Sequence, residues 1–288
     1  MTNATSPPNM GIVSLTFDDA LNEHLDHAIP VLNEHGISGT FYVHLAAEAF
    51  TQRLEEWREA ARHGHELGNH TIFHPADARK PWVREGNAID DYKLDRMRQE
   101  LETANRLLQA IDGSKQRTFA YPCSNSNLGR RGIVKRLLFQ LGYERTRLPG
   151  FVDRWQLDFG STEQSYVSVV RDLLFAARGG GLEKTSQVPS RASIDRFLLP
   201  SVAVDSWSLG DLIEFTENGF ANGAWVIFQF HGIGGGHRLN CDLAVFQEFV
   251  AWLHSNVRCQ VATVRDVVNQ LWGHPKVQPS EVKMKCPI

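Results

Sequence analysis

Nowhere in its 288 residues does the chain reach the roughly 18 consecutive apolar residues that a bilayer-spanning helix needs. It also lacks an excess of either charge. Thirty basic against 33 acidic residues leave a net charge of -3, with no electrostatic footprint for nucleic acid or an anionic membrane surface, so neither partner is expected. Cysteine is scarce: Cys123, Cys241, Cys259 and Cys286 show no CxxC spacing, which excludes a zinc knuckle and a disulfide scaffold and leaves reduced thiols as the expectation. Internal repeats and low-complexity tracts are absent too. The opening "MTNATSPPNM" has neither the basic nor the apolar region of a signal peptide. A cytoplasmic location is expected for the chain as given, and secretion if the start has been trimmed.

What the sequence does contain is a regular alternation. Short β-rich runs, "GIVSLTF", "GTFYVHL", "RTFAYP", "WVIFQF" and "CQVATV", are separated by segments of helical period such as "LDHAIPVLNEHG", "DDYKLDRMRQELETANRLLQAI" and "CDLAVFQEFVAWLHSN". Several helical segments stop at glycine, namely Gly36, Gly64, Gly113 and Gly142, as a helix C-cap leading into a strand would. This predicts an α/β fold with a parallel sheet and covering helices. One domain over residues 10–273 is expected, with loosely held tails at 1–9 and 274–288. The stretch Phe151 to Ser201, with "RGGG" and scattered polar residues, reads as a long, partly irregular excursion, part of which is expected to border the site.

Two adjacent acids, Asp18 and Asp19, end the first apolar run, where sheet enzymes place catalytic groups. Two ionised carboxylates in one dry site repel, so their coexistence calls for a cation that holds one and leaves the other free as a base. "GNHTIFHP" supplies His70 and His74, and Pro75 disfavours a helical conformation at His74, so a turn entering a helix is predicted. Two histidines and a carboxylate with an open position suit a catalytic divalent ion, with Asp19, His70 and His74 as candidate ligands. Taken alone, "DD" is as well explained by a helix N-cap and the histidine pair by surface chemistry. Their joint appearance after apolar strands, with His231 closing "WVIFQFHG" before a glycine-rich loop, favours a site.

Four motifs in order, "TFDD", "HTIFHP", "YPCS" and "FQFHG", resemble the polysaccharide deacetylases, the chitin deacetylase-like group of carbohydrate esterases (family 4). The resemblance implies a distorted (β/α) barrel that removes acetyl groups from N-acetylated sugars. It implies Asp18 as general base and Asp19, His70 and His74 as ligands of a divalent metal, commonly zinc, sometimes cobalt or nickel. The backbone N–H of Cys123 would serve the oxyanion, and His231 would protonate the leaving nitrogen. Tyr121, Pro122, Trp207 and Phe230 would face the substrate.

Three departures stand out. Better-known members carry arginine two residues before the motif proline, where this chain has Ala120, and Arg178 of "AARGGG" is the candidate replacement. "VDSWSLGD" offers Asp205, beside Trp207, to tune the acid histidine, with a helix N-cap as the other use of Asp205 or Ser208. Phe228 and Phe230 stand where leucines are usual, either narrowing the acetyl pocket or filling core. The expected partner is an acetylated amino-sugar oligomer containing N-acetylglucosamine. An O-acetyl xylan esterase, a cyclic-amide hydrolase and a non-catalytic sugar binder are the alternatives.

Overall fold

The structure, a computed structural model, describes residues 10–143 and 146–273. The tails expected at 1–9 and 274–288 lie outside the described residues. Strand β1 (Gly11–Asp18) is buried along its whole length. A parallel strand covered on both faces has no solvent side, which is why "GIVSLTF" reads as a run without alternation. Its internal hydroxyls are satisfied: Ser14 Oγ donates to the Ala262 carbonyl and Thr16 Oγ1 to that of Phe228, each at 2.7 Å.

A π-helical turn at His24–Ala28 passes into α1 (Ile29–Glu34), and β2 (Thr40–Val43) follows. Helices α2 (Glu48–Gln52) and α3 (Leu54–Arg62) lead to β3 (Glu66–Asn69), and α4 (Leu94–Asp112) to β4 (Thr118–Ala120). The predicted caps Gly36, Gly64, Gly113 and Gly142 all take positive φ, from 63° to 94°. Next, the short antiparallel strands β5 (Asn127–Leu128) and β6 (Gln164–Ser165) bracket α5 (Ile133–Gln140) and α6 (Leu148–Arg154). The chain continues through α7 (Val167–Leu173), β7 (Ala176–Leu182), β8 (Leu199–Ala203), α8 (Leu209–Ala221) and β9 (Trp225–Phe230). A small pair, β10 (Gly232–Ile233) with β11 (Asn240–Cys241), precedes α9 (Leu243–Ser255), β12 (Cys259–Val261) and α10 (Val264–Trp272).

The main sheet runs in the order β12-β1-β2-β3-β4-β7-β8-β9, all parallel, and β9 returns to pair with β1 from Ile12↔Trp225 to Phe17↔Phe230. The sheet therefore curls onto itself as the expected distorted (β/α) barrel. The ladder is uneven: β3 meets β4 only at Asn69↔Phe119, and the β7–β8 register slips between Arg178 and Gly180. The rings of Phe17, Phe41, Phe228, Phe230 and Phe246 pack together in the largest core cluster, under helices α8 and α9.

The excursion from Phe151 to Ser201 contributes the end of α6, α7, β7 and most of β8, and residues 183–198 are irregular apart from a 3-10 turn at Arg191–Ser193. One expectation is corrected. No helix starts at His74. The chain there remains a loop as far as a single 3-10 turn at Ile89–Asp91.

Candidate active site

The C-terminal ends of β1, β3, β4, β7 and β9 open into one cleft of about 1520 Å³. Asp18, the last residue of β1, is buried at its floor. Arg178 Nη2 donates to both Asp18 oxygens, at 2.6 Å to Oδ1 and 2.5 Å to Oδ2, while Nη1 donates to Ser201 Oγ at 3.1 Å. Gln229 Nε2 adds a bond to Asp18 Oδ2 at 3.0 Å. Burial alone would push the Asp18 carboxyl up, but the Arg178 guanidinium, helped by His70 and His231, holds it below its ordinary value. Asp18 is thus an oriented, ionised carboxylate.

Arg178 stands beside the position where the motif pattern places an arginine. Arg178 on β7 is the register partner of Ala120 on β4, so the guanidinium enters from the neighbouring strand beside the small side chain. The slip after Arg178 follows from Gly180, whose φ of +75° leaves ordinary strand geometry.

Beside this pair, Asp19 Oδ1 lies 3.5 Å from His70 Nε2 and 3.3 Å from His74 Nε2. Three donor atoms of Asp19, His70 and His74 fall within 4.8 Å of one another. Asp19 Oδ1 is buried without a hydrogen-bond partner among the described residues, an orphan that a cation would satisfy. His70 Nδ1 donates to the Ala120 carbonyl at 2.8 Å, which fixes the tautomer and turns Nε2 toward Asp19. Burial lowers the His74 pKa to about 4, so its imidazole is neutral, as a ligand must be. The donor set fits a divalent ion.

The loop carrying His74 is held in a costly shape. Thr71 and His74 both have positive φ, 70° and 51°. Buried Glu100 on α4 accepts the N–H groups of Ile72 and Phe73 at 3.0 and 3.1 Å and the Tyr92 hydroxyl at 2.8 Å. Thr71 Oγ1 accepts the His74 N–H at 2.9 Å. These bonds over-determine the turn.

His231 follows β9 and places Nε2 3.9 Å from Asp18 Oδ2. Its carbonyl accepts from His24 Nε2 at 2.7 Å, and its ring stacks on His237 with centroids 4.8 Å apart. Burial lowers its pKa, although the Asp18 and Asp19 carboxylates oppose the shift. The Cys123 N–H donates no hydrogen bond among the described residues, and Cys123 lines the cleft at φ 50°. The structure therefore brings Asp18, Asp19, His70, His74, Cys123, Arg178 and His231 into one site.

Other candidates do not reach it. Asp205 is exposed and accepts the Asn240 N–H at 3.2 Å, leaving His231 Nδ1 buried without a partner among the described residues. Trp207 packs on Phe215 and Phe228 in the core. Phe230 is fully buried among aromatic rings, so it fills core rather than the acetyl pocket. Tyr121 and Pro122 are buried, and Tyr121 Oη donates to the Phe197 carbonyl at 3.1 Å. The apolar neighbours of these positions in the sequence were the available signal. Gln229, Ser201 and Glu100 escaped the sequence reading, although a lone glutamine inside "WVIFQF" was a visible irregularity.

Residues 5–142 match the family described as polysaccharide deacetylase. Among solved structures, the chain resembles a Mycobacterium smegmatis protein named for the polysaccharide deacetylases, with 13% identity, TM-score 0.58, and coverage of 93% of this chain and 92% of that one. A family 4 acetyl xylan esterase from Clostridium thermocellum, solved with a cobalt ion, gives 17% identity and TM-score 0.50 over 92% and 93% of the two chains. At such identities the likeness is one of fold. Among curated relatives, a gellan lyase from a Bacillus species is 28% identical over 124 residues, 43% of this chain and 4% of that protein. The Bacillus subtilis protein YlxY, itself uncharacterized, is 28% identical over 101 residues, 35% and 27%. The chain thus spans well under two thirds of the length of both curated relatives.

Proposed function

We propose that this chain, whose residues 5–142 match the polysaccharide deacetylase family, is a metal-dependent hydrolase that removes N-acetyl groups from an oligosaccharide or polysaccharide containing N-acetylglucosamine. The observation that carries the reading is the pairing of an arginine-locked carboxylate with an adjacent Asp-His-His set whose Asp19 Oδ1 is buried and unpartnered. Asp19, His70 and His74 hold a divalent cation. Zinc is the leading choice and cobalt or nickel the alternatives; the cobalt ion in the Clostridium esterase supports a divalent ion on this fold. When bound, such a cation would lower the pKa of a water molecule and polarise the acetyl carbonyl.

The chain's own residues do the rest. Asp18, fixed by Arg178 and Gln229, takes the proton from the attacking water. The free Cys123 N–H donates to the oxygen on which negative charge develops. His231 Nε2, close to Asp18 and open to the cleft, delivers a proton to the departing sugar nitrogen. An amine leaves less readily than an alkoxide, so a placed acid favours the amide over an ester.

Acetate release from N-acetylglucosamine oligomers and from acetylated xylan, measured in parallel with metal-loaded and chelated protein, tests the reading. Chelator-sensitive release from the amino sugar is expected. Release from xylan alone moves the assignment to an O-acetyl esterase, and metal and sugar binding without release from either makes the chain a binder.

A further inference from the structure

Among the described residues, nine of the fifteen large hydrophobic side chains that stand exposed lie between residues 133 and 159, on the α5–α6 excursion. The segment is built inside out. Its inner side carries polar anchors beside the buried Val152: Lys135 is buried against Asp153 and Glu163, and the Asp158 carboxylate accepts the Gly132 and Lys135 N–H groups at 2.7 and 2.9 Å. Its outer side is apolar. Ile133, Leu137 and Leu141 follow one another at intervals of one turn, Phe151 and Trp155 lie with rings 6.2 Å apart, and the Ile133 N–H bonds to the Phe159 carbonyl, joining the two groups. Polar pins on the inside hold the apolar face outward, so the exposure is structural rather than a loosely packed edge.

Charge selects the occupant. Residues 130–159 contain seven basic and three acidic residues in a chain whose total is -3, so the segment carries +4 and the rest of the molecule -7. Arg136, Arg147 and Arg154 are exposed and make no ion pair among the described residues. A twofold pairing of this face with itself would set like charges against each other. Aromatic and leucine side chains rimmed by unpaired arginines are instead the composition of a surface that lies in a lipid interface. We propose that the α5–α6 excursion docks the protein on an anionic lipid bilayer. The excursion leaves the sheet just past Cys123, at the end where the cleft opens, so docking holds the cleft near polymer presented at that surface. Whole-chain composition concealed this because it averages a basic face with an acidic body.

The test is cosedimentation of the full chain with phosphatidylcholine vesicles, with and without one third phosphatidylglycerol. Binding is expected to the anionic vesicles only and to be reversed by high salt. Leu137→Ser combined with Trp155→Ser should abolish it. Replacing Arg136, Arg147 and Arg154 by Gln, which leaves the apolar face in place, should weaken partitioning by about fivefold per residue. Unchanged urea unfolding transitions would establish that both variants fold. Failure to sediment with anionic vesicles, or equal sedimentation of the triple Gln variant, overturns the proposal. A dimer in sedimentation velocity that the Leu137 and Trp155 changes dissolve, without vesicle binding, assigns the face to a second copy.

Discussion

The guanidinium that holds Asp18 starts one strand away from where the motif pattern places an arginine. Ala120 and Arg178 are register partners on β4 and β7, so removing a long side chain from one strand leaves the space through which its neighbour reaches in. The two positions should therefore be exchangeable. Arg178→Ala is expected to lower kcat for acetate release by about 100-fold, with a smaller change in KM, since it frees a group that acts on charge in the transition state. Ala120→Arg in that background should recover a substantial part, because the alanine at 178 vacates the volume that the new arginine needs. If the double variant is no faster than the single, the exchange idea is wrong. His231→Ala provides a second test at this scale: amide turnover should fall far more than ester turnover, and equal losses would remove the proton-donor role. The metal-ligand candidates were legible because adjacent acids and an i, i+4 histidine pair are local patterns. Gln229 and Ser201 were not, because their roles exist only when β7, β8, β9 and β1 stand side by side.

At the level of elements, the glycine-rich β7 decides where Arg178 points. Gly180 has φ +75°, and a Cβ there would stand 2.3 Å from Ser124 Oγ, in the turn that presents Cys123. Gly180→Ala should thus destabilise the fold by about 1–2 kcal/mol from the backbone conformation alone. It should also loosen both the arginine and the Cys123 turn, so kcat is expected to fall in protein that remains folded at assay temperature. Urea unfolding together with turnover checks this, and a fully active, equally stable variant would show that the slip in register is incidental. The same glycines explain why β7 escaped the sequence reading: "RGGGL" has neither alternation nor an apolar run, so its strand character comes from neighbours β4 and β8. By contrast β1 and β9, buried on both faces, announced themselves as uninterrupted apolar runs. The inner arginine pattern of the site and the outer arginine pattern of α5–α6 lie in or beside the stretch that looked least regular.

Over the whole molecule, barrel closure joins Ile12–Phe17 to Trp225–Phe230, residues more than two hundred positions apart, and makes stability depend on groups far from the cleft. His65, at the start of β3, is one of them. Its Nδ1 accepts the Gly39 N–H at 3.0 Å, so its proton sits on Nε2, which donates to Asn33 Oδ1 at 3.1 Å. Burial lowers its pKa to about 4 from an ordinary value of 6.5. The unfolded chain therefore binds a proton below pH 6.5 that the folded chain refuses until about pH 4. Stability from this group is complete above pH 6.5 and is lost as pH falls through that window, by about 3 kcal/mol in total. Protonation at Nδ1 would also set an N–H against the Gly39 N–H. Asparagine places its Oδ1 near the position of Nδ1 and does not titrate, so His65→Asn should keep the Gly39 bond and flatten the acid limb. Urea unfolding free energies at pH 7 and pH 4.5, taken for both proteins in chelator so that metal binding does not enter, give the comparison directly. The parent is expected to lose about 2 kcal/mol more than His65→Asn between the two values, and parallel losses would mean that other buried histidines, such as His24, carry the acid sensitivity.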